Sequence, residues 1–110
     1  MDYEEMMAKG RALLDKHGLH DWRFDVQNLN KPDFGIDDLG GCDHDRKLIV
    51  VDWRVGRQFR QTVLHEIAHA LANETPEEAI AEGLNPYHGK RWLKIAEEIG
   101  CTYNRLSEYY

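Results

Sequence analysis

The chain has 110 residues, 42% of them hydrophobic and 31% charged, which fits one folded domain spanning 1–110 and excludes a disordered chain. No apolar run approaches the roughly 18 residues needed to cross a bilayer, so no membrane partner is expected. A net charge of −6 argues against a broad electrostatic footprint, so direct binding of nucleic acid is not expected either.

The acidic start, Met1-Asp2-Tyr3-Glu4-Glu5, lacks the basic-then-apolar form of a signal peptide, which points to the cytoplasm. Residues 2–17 carry Tyr3, Met6, Met7, Gly10, Leu13 and Leu14 at three- and four-residue spacing. That spacing predicts an amphipathic helix, with Gly18 as its left-handed cap. Residues 22–26 alternate apolar and polar as a half-buried strand does, and 28–38 read as a loop. Residues 39–43 and 47–51 flank the polar turn His44-Asp45-Arg46 and predict a β-hairpin whose second, more apolar strand is the more central. Its glycines would let a neighbour approach the backbone closely. A long helix is expected over 54–73. A short one should start at Thr75-Pro76-Glu77-Glu78, and a last one should run over 88–99 to Gly100, burying Trp92, Ile95, Ala96 and Ile99. Strands early and helices late give an α+β fold with helices packed on one small sheet. Cys42 and Cys101, far apart and in no paired motif, read as reduced structural thiols. The basic groups Arg46-Lys47, Arg54/Arg57/Arg60 and Lys90-Arg91-Lys94 read as solvated helix faces and strand ends.

The strongest chemical signal is His65-Glu66-Ile67-Ala68-His69, an H-E-x-x-H string inside the long predicted helix. Residues four apart lie one turn above each other, so two imidazoles converge on one point about 2 Å from each nitrogen. At about 100° per residue, Val63, Leu64, Ile67, Ala68 and Leu71 fall on an arc turned away from that pair. The helix can thus be anchored in the core while presenting both histidines to a cleft. Glu66 is badly placed to be a third ligand but can take a proton from a water on the metal. A catalytic zinc also needs a third protein ligand and one open position. Candidates are Glu77, Glu78, Glu82 and His88. His88 starts the last predicted helix, one turn from Trp92 on its inner face, where an imidazole needs a partner. A satisfied core or capping histidine has the same spacing.

These elements together resemble the SprT-like zinc metallopeptidases, whose catalytic core is shared with the Spartan-type proteases. The resemblance runs over about 40–105. It includes the glycine-rich strand, basic turn and apolar strand of 39–51, the helix Thr62-Val63-Leu64-His65-Glu66-Ile67-Ala68-His69-Ala70-Leu71, and then His88-Gly89, Trp92 and Ile99-Gly100-Cys101. It implies a zincin-like minimal fold in which a three-stranded sheet packs against the N-terminal, H-E-x-x-H and C-terminal helices. It also implies one catalytic Zn2+ on His65, His69 and His88, with Glu66 as general base. The paired C-x-x-C ribbon of many members is missing here, and their DNA-linked role is not carried over. A stand-alone peptidase domain of this size is seen in phage and bacterial genomes.

Tyr87 and Tyr103 are the possible hydroxyl donors to a transition-state oxyanion, and either also reads as structural. Trp22, Trp53 and Trp92 read as core or rim packing. The expected partner is a protein or peptide substrate, unfolded or flexible, and the expected state is a monomer. The strand at 39–43 is the candidate edge for pairing with substrate backbone. Competing readings are a catalytically inactive zinc-binding domain that recognises a protein partner, and a zinc-free helical interaction domain. Retention of Glu66 and the want of a fourth converging ligand favour the enzyme over a structural zinc site.

Overall fold

The computed structural model describes residues 1–28, 39–73 and 89–102. Among them are the helices α1 (Tyr3–Lys16), α2 (Phe59–Ala72) and α3 (Lys90–Glu98), and the strands β1 (Arg23–Gln27), β2 (Gly40–Asp43) and β3 (Leu48–Asp52). The α+β class is as expected. The loop expected over 28–38 and the short helix expected from Thr75 lie outside the described residues, apart from Asn28.

Helix α1 begins where the Asp2 carboxylate accepts a bond from the Glu5 N–H, and the chain leaves it through Gly18 at φ +81. It buries Met6, Gly10, Leu13 and Leu14, while Tyr3 stays exposed and donates its hydroxyl to Asp25 on β1. Arg11 ties the helix to the turn that follows, donating to the carbonyls of Leu19 and Trp22 and to Asp15. Gly10 is a close approach: a Cβ there would sit 2.1 Å from the Phe24 ring. Only glycine lets α1 lie this near β1.

The sheet order is β1-β3-β2, with β1 parallel and β2 antiparallel to β3. The apolar strand is therefore central, as its composition predicts. The register sets Phe24, Ile49 and Cys42 in one row and Val26, Val51 and Gly40 in the next. Alternation turns both rows to the same face, and Ile49 and Val51 there are fully buried. This face meets the helices. In β2 it offers only a thiol and a glycine, and that leaves room for α2.

The predicted long helix starts later than Arg54. Asp52, buried at the end of β3, accepts the Arg54 backbone N–H at 2.8 Å and holds its guanidinium through both carboxylate oxygens, at 2.8 and 2.9 Å. Gly56 then takes φ +56, a left-handed value that a continuous helix does not admit. A 3-10 turn at Gly56–Gln58 follows, and α2 begins at Phe59. Asn73 closes α2 in the left-handed conformation, its N–H bonded to the His69 carbonyl. Helix α3 starts two residues later than the expected 88, with Gly89 as its cap, and ends before Gly100 at φ +84. It buries Trp92 and Ala96 fully, while Ile95 and Ile99 pack at the core's edge. Both cysteines are free thiols. No helix among the described residues is long and apolar enough to cross a membrane.

Candidate metal centre

Helix α2 is the innermost element. It buries ten of its fourteen residues, and these include Thr62, His65 and Glu66 as well as the apolar set. Its expected apolar arc is confirmed at Val63, Leu64, Ile67 and Ala68, all at 1% exposure or less. Leu71, at 37%, departs from that arc, although Ala70 and Ala72 beside it in the last turn are buried.

One turn apart on α2, the His65 and His69 rings meet edge to face, with centroids 4.9 Å apart. His65 is only 1% exposed, whereas His69 is half-buried. The pair therefore runs from the core toward the surface. Trp92 of α3 walls it, its ring 4.8 Å from His65 and 5.4 Å from His69. The Trp92 indole N–H also donates to the His65 carbonyl at 3.3 Å, pinning α3 to the turn that carries His65. On the other side, His44 Nε2 donates to the His69 carbonyl at 2.9 Å while its ring edge meets Trp22 at 5.7 Å. That bond fixes the hairpin turn against the C-terminal half of α2.

Glu66 is 4% exposed and lies against β2. A Cβ on Gly40 would come within 3.0 Å of Glu66 Oε2 and of Thr62 Cγ2, so glycine is what admits the carboxylate beside the edge strand. Burial, with the Glu66 and Asp43 carboxylates adding, pushes the neighbouring Cys42 thiol far above its ordinary pKa. Burial and the two carboxylates thus disfavour the Cys42 thiolate. Glu66, next in sequence to His65, packs against the edge strand.

Two imidazoles on one helical face suit a borderline-soft divalent ion, which binds through neutral imidazole nitrogen. The described residues supply two such groups and fit that much of a zinc site. They do not assemble three His, Cys, Asp or Glu side chains around one point. His88, the expected third ligand, lies outside the described residues, as do Glu77, Glu78, Glu82, Tyr87 and Tyr103. Sequence reasoning missed two members of this neighbourhood, His44 as a clamp and Gly40 as the carboxylate's berth. Only the Gly40-Gly41 pair carried a signal, that of close backbone approach.

Fold and site together define an α+β protein built around a buried helix that carries an H-E-x-x-H string. The chain belongs to the SprT-like family, which it matches over residues 40–109, a family associated with metallopeptidase-like proteins. Searches of curated proteins and of solved structures returned no match.

Proposed function

We propose that the protein is a zinc-dependent metalloendopeptidase that hydrolyses peptide bonds with Glu66 as general base. The observation that carries this reading is the meeting of the His65 and His69 rings at 4.9 Å with Glu66 buried beside them against an edge strand. Family membership supports it. In this reading His65, His69 and His88 hold the metal. Zinc bound there supplies a Lewis-acid centre that acidifies water and polarises a carbonyl.

The remaining steps belong to the chain's own residues. The Glu66 carboxylate takes a proton from the attacking water and then passes it to the leaving amine. Trp92 holds the two imidazoles from behind and keeps water from that side. Strand β2 has no strand partner beyond β3 among the described residues, so its outer edge can pair with an extended peptide. Such pairing lays a substrate carbonyl near Glu66 and selects unfolded or flexible segments, because a folded strand has its edge occupied. Tyr87 or Tyr103 would donate a hydroxyl to the developing oxyanion. The protein acts alone, as a monomer, on protein substrates in the cytoplasm.

The test is metal content together with proteolysis. The purified chain should bind one zinc per molecule and cleave a denatured protein. A chelator should stop cleavage and zinc should restore it. His69→Ala and His88→Ala should each weaken zinc binding. Absence of zinc binding at micromolar supply would contradict the reading, and zinc binding without any cleavage would favour the inactive binding domain.

A further inference from the structure

A concavity of about 490 Å³ lies between α1 and the start of α2. Leu13 and Phe59, both buried, form its floor, and Lys9, Lys16, Arg57 and Arg60 stand around it. Among the described residues no acidic side chain lines it. Lys9 is paired with Glu5 at 3.0 Å, but Lys16, Arg57 and Arg60 make no ion pair among the described residues. In a chain of net charge −6, this concentration of cations runs against the overall balance. Its field reaches the neighbouring His17, whose pKa is lowered first by burial and then by Lys16 and Arg60. Arg60 stands nine residues before His69, about two and a half turns of helix, so the groove opens on the opposite side of α2 from that ring.

We infer that this groove is a docking site for an acidic peptide segment of another protein, with an apolar side chain against Leu13 and Phe59 and carboxylates on Arg57, Arg60 and Lys16. Arginine forks match carboxylates in pairs, and the first turn of α2 adds a favourable dipole for negative charge. A peptide suits the groove better than nucleic acid does. Its volume is that of a few side chains, its floor is apolar, and the chain's net negative charge repels a long polyanion. Neither histidine nor Glu66 takes part, so the inference stands apart from the peptidase reading.

Fluorescence anisotropy with a short labelled peptide alternating Glu and Leu tests it on the full chain, with and without a chelator. The peptide should bind, and Arg57→Ala/Arg60→Ala should weaken binding by about ten-fold or more. Arg57→Lys/Arg60→Lys should keep most of it, and a Gln-for-Glu peptide should bind at least as poorly as the alanine variant allows. All four arms should be indifferent to the chelator, whatever the outcome for proteolysis. No binding, equal binding of the Gln peptide, indifference to the arginines, or tighter binding of a single-stranded oligonucleotide through the same arginines would overturn the inference. Both arginines are exposed, so these variants should keep the wild-type circular dichroism spectrum.

Discussion

Helices α1 and α2 have the same length, fourteen residues, yet they bury themselves in opposite ways. Helix α1 hides four residues, none ionisable, and uses its outer face for local ion pairs such as Lys9–Glu5 and Arg11–Asp15. Helix α2 hides ten, and among them are a histidine and a glutamate. Burying ionisable groups costs free energy that apolar residues of similar size would not, so a helix chosen only for packing would look like α1. The contrast separates scaffold from chemistry. Helix α1 and β1 lie outside the matched span 40–109, yet Leu14, Trp22, Phe24 and Val26 complete the same core. They hold α2 in place, and Trp22 reaches the histidine pair only through His44, which grips the His69 carbonyl.

Truncating the wall that α2 shares with α3 should have the largest effect on stability. Trp92→Ala removes a fully buried indole and should cost about 3–5 kcal/mol in denaturant unfolding, with zinc retention falling as well. A loss confined to stability would mean that Trp92 belongs to the scaffold alone. Two glycine substitutions then divide the regions. Gly10→Ala drives a methyl into Phe24 and should cost about 1–3 kcal/mol while leaving turnover per folded molecule unchanged. Gly40→Ala should cost about 1 kcal/mol or less, since its contacts are milder. It should nonetheless lower kcat by about ten-fold or more, because it displaces Glu66. Matching kinetic effects at the two glycines would break the comparison.

The smallest effect belongs to the outer face of α1. The hydrogen bonds from Arg11 hold the Asp15 pKa below its ordinary value of 3.8. A lowered carboxylate stabilises the fold above its unfolded pKa and loses that contribution as pH falls through the folded one. Asp15→Asn should therefore narrow the stability difference between about pH 5 and about pH 2 only slightly, because the group is exposed. Thermal midpoints across that range check it.

Local features were legible in the sequence, and distant pairings were not. Period and caps identify α1, and the turn residues identify the β2–β3 hairpin, because each rests on neighbours in the chain. The parallel pairing of β1 with β3 joins residues about twenty-five positions apart, as in Arg23 with Leu48, and nothing in either strand specifies it. The late start of α2 depends on Asp52 capping Arg54 and on Gly56 at positive φ, and the spacing of apolar residues is blind to both. At the candidate site the H-E-x-x-H string shows two histidines and a glutamate on one helix. That His65 is wholly buried, that Gly40 makes room for Glu66, and that His44 grips the His69 carbonyl all follow from the tertiary fold.

The central claim is that Glu66 is a base and not a buried structural carboxylate. Its direct test is the cleavage rate of an unfolded protein by the wild type and by Glu66→Gln, each with its zinc content measured. The account predicts equal zinc, an unchanged unfolding midpoint within experimental scatter, and cleavage slowed by about 10²- to 10⁴-fold in the variant. Zinc-loaded Glu66→Gln cleaving at the wild-type rate would contradict it.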